Sequence, residues 1–571
     1  MIRTEQLASI FLLMILAVVV IVSGIAALNR TEYANGWDGY YYLVQVQSLH
    51  NTGYMHSPEY SPVYLPLMAL YAITGNYIIS YKLSAVLIKA LFVFSIFTLG
   101  FSLLRSKADI DRRTAFFTAL IAGALSAMSP SLNYYFTQFP KNLLGFALLF
   151  FFMASVYSTS QAWKRQNSHS SHQDTSKRHP FERMPRAVKV LRVLGVLLLF
   201  GATFFTHRFT AILSLCFLGM YFTHSVKPLL KHLWAEKKLE PGSSSTSWLR
   251  KHRRKSLRLL ILLIPLIALT VLSHKLPLAL SFYDLEIITS NFSLSPILVP
   301  ASFVQNFGDF RLSAAWIVEI FFASALPLIT GVLLLSKYRF GFLRLGREYY
   351  ILILFGLTGL FPFFTFSLTG LSYRLYYGTL LIFPLLCIPY ICLGVQKILH
   401  YRPEERAPGQ QAIVVMLFVA LLASSLYTGR SYNPELHDPP YAFYEELAKE
   451  SIASLALIDY ELIIAHKALS SMITYTFEVD ALPWAPEEYF PRERVWRITA
   501  GILQDEVAMY LSPELAEQYF VPLSRDYALM REDHWEAFMR SIANEPVMLE
   551  AVHNWRNPCE QRPGYMMKDK L

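Results

Sequence analysis

Residues 7–28 read LASIFLLMILAVVVIVSGIAAL, and shortly after them comes Asn35-Gly36-Trp37-Asp38-Gly39-Tyr40-Tyr41-Tyr42-Leu43. Twenty-two residues without a charge, rising about 1.5 Å each as a helix, are enough to cross ~30 Å of hydrocarbon. The stretch is too long, and too poor in small residues near a cleavage point, for a signal peptide, so it reads as a retained anchor. Further apolar stretches of spanning length lie at 77–104, 114–131, 142–158, 189–206, 209–224, 257–274, 313–336, 349–369, 375–398 and 411–428. Hydrophobic residues make up 54% of the chain, aromatic residues 15%, and the mean hydropathy is +0.35, above what a soluble globular chain carries. The expected class is an all-α polytopic membrane protein with about 11 transmembrane helices, filling residues 1–429.

Lysine and arginine in the connecting segments give the orientation, because cytoplasmic loops hold the positive excess. Segments 1–6, 105–113, 159–190, 225–258, 337–348 and 397–410 carry 29 of them, whereas the alternate set at 29–76, 132–141, 207–208, 275–312 and 370–374 carries 6. The N-terminus is therefore expected in the cytoplasm, with the loop 29–76 and the tail 430–571 outside. The tail holds 13 basic and 24 acidic side chains, so the net charge of +10 arises in the membrane part, where runs such as Arg250-Lys251-His252-Arg253-Arg254-Lys255 would face anionic lipid. No nucleic-acid partner is needed to explain it.

The tail reads as an extracytoplasmic, mostly helical soluble domain, with helix-like stretches near 441–457, 503–520 and 526–543 and with Trp484, Trp496, Trp535 and Trp555 as core candidates. The four cysteines form neither a disulfide framework nor a zinc spacing. No internal repeat of the transporter kind is visible.

Polar residues on the outer face are few. After Asp38, the spacing of Tyr42, Leu43, Val46 and Leu49 predicts a short helix in the membrane interface, ended by Gly53, with Asp38 near its N-terminus. Pro58, Pro62 and Pro66 are expected to keep the chain irregular up to the next span. Three hairpins on the same side each offer a cation: Lys141, the pair His207-Arg208, and Arg374. Cations placed against the positive-inside bias suit the phosphate of an anionic lipid. In the loop 275–312, Asp284 and Glu286 are candidate oxygen ligands for a divalent cation such as Mg or Mn.

Taken together, these features resemble the GT-C superfamily of polytopic glycosyltransferases, which take sugars from polyprenyl-phosphate donors. The resemblance covers roughly residues 1–430, and Asp38-Gly39-Tyr40-Tyr41-Tyr42-Leu43 followed by Gly53 is similar to the first-loop pattern of oligosaccharyltransferase catalytic subunits. Many members pair that carboxylate with another one or two residues away, whereas Asp38 has only Glu32 and Glu59 nearby, and the Trp-Trp-Asp signature of oligosaccharyltransferase tails is absent. The resemblance implies inverting transfer of a sugar from a polyprenyl-phosphate or diphosphate donor to a hydroxyl of a glycan, lipid or protein acceptor, in the inner membrane of a bacterium. Asp38 would be the general base, Arg374 with Lys141, His207 and Arg208 would bind the donor phosphate, and Asp284 and Glu286 would hold any metal. Two other readings stay open: a non-catalytic transporter of lipid-linked or polysaccharide substrates, which would need charges inside the spans such as Lys82, Lys89, Arg192 and Glu319, and a glycan ligase or polymerase.

Overall fold

The computed structural model describes residues 2–105 except 58 and 60, 110–168, 186–221 except 208, 209, 212 and 220, 380–400, 408–500 except 437, 459 and 484–491, 520–524 and 527–541, together with two strands and isolated helical positions between 294 and 366. Its membrane part is helical: α1 (Ile2–Leu28), α2 (Gly39–Thr52), α3 (Tyr64–Thr74), α4 (Tyr77–Arg105), α5 (Arg112–Ala127), α6 (Pro130–Gln138), α7 (Pro140–Ser168) and α8 (Arg186–Thr206). Later in the chain come α9 (Ile388–His400), overlapping the apolar run Leu380–Leu399, and α10 (Pro408–Ser431). Among the described residues, five helices are long and apolar enough to span a membrane, or six if the bent pair α5–α6 counts as one. The expected span at 257–274 lies outside the described residues, and so does most of 313–336 and of 349–369, in which the described Phe364–Phe366 is strand.

Two expectations for the helices are corrected. The span read as 114–131 is two helices meeting at 62°. Pro130 has no N–H to continue the ladder, and Ser129 caps the new helix by accepting from the Leu132 amide at 3.0 Å. The stretch before the second span is likewise not irregular, since Tyr64–Thr74 forms α3 with Pro66 in its first turn, where a missing N–H costs nothing. Both α2 and α3 end as left-handed glycines allow, at Gly53 (φ 78°) and Gly75 (φ 64°).

Helix α4 runs through the centre of the described bundle, packed by α1, α5 and α7 along its length and by α2, α3 and α6 towards its N-terminal end. A short antiparallel pair, β1 (Leu294–Leu298) with β2 (Phe364–Phe366), lies between α8 and α9 in sequence.

The tail departs from the helical expectation. Helix α11 (Tyr441–Leu455) is where the sequence placed it, but β3 (Leu462–Ile464), β4 (Ala481–Leu482), β5 (Val495–Ala500), β6 (Phe520–Ser524) and β7 (Tyr527–Arg531) build a five-stranded sheet in the order β4-β3-β5-β7-β6. The pairs β3–β4 and β3–β5 are parallel, while β5–β7 and β6–β7 are antiparallel. Helix α12 (Lys467–Phe477) is the crossover from β3 to β4, and α13 (Glu532–Ser541) follows β7. The predicted helix at 526–543 therefore begins as strand, because Tyr527-Ala528-Leu529-Met530 is a short apolar run that pairs between β5 and β6. Trp496 and Trp535 are buried core residues, as expected.

Candidate active site

The first loop, the α6–α7 joint, the ends of α8 and α10, and the tail meet at one end of the bundle. The loop is drawn onto that end by Asp438, seven residues beyond α10. Its carboxylate accepts from Asn35 Nδ2 at 2.9 Å, from the Gly36 amide at 2.9 Å and from Gln138 Nε2 of α6. Tyr81 donates to the Asn35 carbonyl at 2.7 Å, and Tyr441 donates to the Gly36 carbonyl. Gly36 has φ +83°, and a Cβ there would sit 2.5 Å from the Thr137 carbonyl oxygen, so glycine is required by both conformation and space. Burial pushes the Asp438 carboxyl up to about 6, against the opposing pull of Asn35, Gly36, Gln138 and nearby Lys82.

With the loop fixed there, Asp38 stands at the N-cap position of α2 but makes no capping hydrogen bond with its side chain. Its carboxylate instead pairs with Lys467, Nζ to Oδ1 2.5 Å, and the pair is partly open to solvent at 27% and 52% side-chain exposure. Lys467 opens α12, directly after the buried strand β3. The residue before it, His466, accepts from the Ala468 amide and packs edge-on against Trp37, with ring centroids 5.7 Å apart. Burial, with the Lys467 charge adding to it, lowers His466 to about 4, so the imidazole is neutral at physiological pH. The Lys467 ammonium also lies 5.4 Å from the centroid of the Tyr41 ring.

Tyr41 links this pair to a second cluster. Its hydroxyl donates to Glu59 at 2.9 Å, Tyr64 donates to the same oxygen at 2.5 Å, and Lys141 forms an ion pair with the other oxygen. The loop that carries Glu59 is held by the buried Gln45, whose amide bonds both the Ser57 hydroxyl and the Ser57 backbone N–H. Burial raises the Tyr42 and Tyr64 hydroxyls well above their ordinary value, and Asp38 adds its charge to both, which places its carboxylate within electrostatic reach of this cluster.

His207 follows the last residue of α8 and starts the next helical stretch, accepting from the Ala211 amide at 3.0 Å. It packs on Gly145 of α7, where an added Cβ would be 3.3 Å from His207 Cβ. Gly145 is one helical turn from Lys141, so the two predicted cations share a face of α7. Ser61, two residues after Glu59, donates to the Thr206 carbonyl beside them.

Of the residues expected at the site, Asp38, Lys141 and His207 thus occupy one end of the bundle. Arg208, Arg374, Asp284 and Glu286 lie outside the described residues. Among the described residues no three metal-ligating side chains come together, and Glu59 is engaged by Lys141 and two tyrosines. Helix α2 is packed between α4 and α12, which buries Gln45 together with Tyr42, Leu43 and Val46. Sequence reading did not find Lys467, Glu59 or Asp438 as site residues. Glu59 was visible as one of two acids near Asp38, and Asp438 as the acid of Asp438-Pro439-Pro440 just after the last span, but Lys467 carries no local signal.

No protein-family model and no curated protein matches the chain. Among solved structures it is similar to the crystal structures of ArnT from Cupriavidus metallidurans, one bound to undecaprenyl phosphate and one in the apo state. Each has a TM-score of 0.46 and 12% sequence identity, over 92% of this chain and 98% of that chain.

Proposed function

We propose that this chain is a GT-C-type integral membrane glycosyltransferase that moves a sugar from a polyprenyl-phosphate-linked donor to an acceptor hydroxyl on the extracytoplasmic face, with inversion. The observation that carries the reading is that the first-loop carboxylate Asp38, paired with Lys467, shares a single end of the helical bundle with Lys141, which pairs with Glu59, and with His207. In the step this reading assigns, the acceptor oxygen forms a bond to the anomeric carbon while the bond from that carbon to the donor phosphate oxygen breaks. Asp38 takes the acceptor's proton, and the lipid phosphate leaves with the bonding electrons. Lys141, with Arg374, His207 and Arg208, would stabilise the charge growing on that phosphate. The acceptor's class, glycan, lipid or protein, is open in this reading. A Mg or Mn ion on Asp284 and Glu286 is a separate proposal, and no step uses it. The charge bias of the loops supports a cytoplasmic N-terminus and an inner-membrane location in a bacterium.

One observation favours a transporter as the second reading. Lys89, at 0% exposure, and the buried Glu319 both sit in the helical part and both bond α6. Purified protein in vesicles, supplied with a panel of radiolabelled sugars on undecaprenyl phosphate, separates the two. Transfer of label to an acceptor, lowered at least ~100-fold by Asp38→Asn, is expected. Transfer unaffected by that substitution removes Asp38 from the chemistry, and movement of the lipid across the bilayer without transfer supports the transporter.

A further inference from the structure

Lys141 and Lys467 each pair with a first-loop carboxylate at this end of the molecule, and their circumstances differ. Lys141 is held by Glu59, a carboxylate that two tyrosine hydroxyls also fix in place, and the pair is shielded, at 25% and 13% side-chain exposure. Among the described residues, the one carboxylate that holds Lys467 is Asp38, with the Tyr41 ring 5.4 Å from the ammonium; Lys467 is about half exposed and reaches Asp38 on a flexible four-carbon stem. A solvent-exposed lysine–carboxylate pair contributes little, because water screens it and ordering two side chains costs entropy. A phosphate, with more charge and more acceptor oxygens, makes the stronger charge-assisted bond to the same ammonium. The base of α12 does not have to move for such a change, because β3, the His466 cap and the Trp37 contact anchor the helix start.

We propose that Lys467 is an exchangeable phosphate ligand: its ammonium rests on Asp38 in the unloaded protein and transfers to the phosphate of the arriving polyprenyl-phosphate donor. The tail domain thereby completes the donor site, and Asp38 Oδ1 is uncovered to receive a proton only when donor is bound. This inference rests on the glycosyltransferase reading. It adds that donor binding and base exposure are a single event, so that an acceptor hydroxyl meets a covered carboxylate until the lipid phosphate is seated.

The test uses the full chain in phosphatidylcholine nanodiscs titrated with undecaprenyl phosphate, comparing wild type, Asp38→Asn, Lys467→Gln and the double variant, with thermal melting to show that all four are folded. Removing the competing carboxylate is expected to tighten binding roughly tenfold, removing the ammonium to weaken it roughly tenfold, and Asp38→Asn to have no effect once Lys467 is gone. Lys467→Arg is expected to keep most of the affinity. Simple repulsion between Asp38 and phosphate would give the same tightening in both backgrounds, and that result overturns the exchange. So does an Asp38→Asn affinity equal to wild type. If binding and Asp38-dependent transfer are intact but the two substitutions act independently, the exchange alone fails. If folded wild type does not bind undecaprenyl phosphate, the donor reading fails and takes the exchange with it.

Discussion

Asp438 and His466 titrate in opposite senses over nearly the same range of pH. Folded Asp438 keeps its proton up to about 6, against an ordinary 3.8, so its contribution to stability is complete below pH 3.8 and is lost as the pH rises through 6. Folded His466 resists protonation down to about 4, against an ordinary 6.5, so its contribution is complete above pH 6.5 and is lost as the pH falls through 4. At roughly 1.4 kcal/mol per pH unit each amounts to about 3 kcal/mol, and between pH 4 and 6 they offset one another. His466→Asn keeps a cap acceptor for the Ala468 amide but removes the titration. Its thermal midpoint is expected to fall relative to wild type as the pH is raised from 4 to 6.5, and a constant difference across that series would show that burial does not hold His466 neutral. Asp438→Asn should drift the opposite way.

At the scale of elements, α6 is the piece on which the site depends. Glu319 accepts from the Ser129 hydroxyl and from the Ser131 amide and hydroxyl at the helix N-terminus, a favourable place for a carboxylate. In the middle of the helix, Lys89 of α4 donates to Asn133 Oδ1 at 2.8 Å and to Ser23 Oγ of α1 at 3.0 Å, and its ammonium lies 4.7 Å from the centroid of the Phe136 ring. At the C-terminal end, Gln138 reaches Asp438 and Thr137 bonds Tyr432. Lys89→Met would remove the one hydrogen bond that the buried Asn133 Oδ1 makes among the described residues, a cost of about 1–3 kcal/mol. Melting of the detergent-purified variant measures it, and a melting point equal to wild type would show that Lys89 does not hold α6. Pro130 is the sequence mark of this helix, but the hydropathy of 114–131 runs on past it and reads as one span. A window average registers apolar length and is blind to a single missing N–H.

For the whole molecule, the decisive junction is between the tail and the first loop. Gly36 lies against α6 so closely that any side chain would meet the Thr137 carbonyl, and Asp438 and Tyr441 bind the loop from the other side. Gly36→Ala is expected to cost at least ~1–3 kcal/mol through its positive φ alone and to loosen the tail. Faster trypsin cleavage after the exposed Arg430 than in wild type would report it, and an unchanged rate would show that the junction tolerates a Cβ.

Most of the helical frame was readable without coordinates. The apolar stretches at 7–28, 77–104, 142–158 and 411–428 coincide with α1, α4, α7 and α10, and Gly53 does end α2. These features are local: apolar length is a sum over neighbouring residues, and a left-handed turn is a property of one. Tail strands were missed because β3, β4 and β5 are short and pair across the α12 crossover and the segment after β4, leaving no periodicity to read. The partner of Asp38 was beyond the sequence for the same reason in stronger form. Lys467 lies 429 residues away, and an ion pair has no signature in composition or spacing. What the chain by itself determined is a membrane protein whose first loop carries Asp38 and whose alternate loops hold few cations. Only the tertiary structure decided which cation meets it, because that depends on how a soluble domain folds and docks.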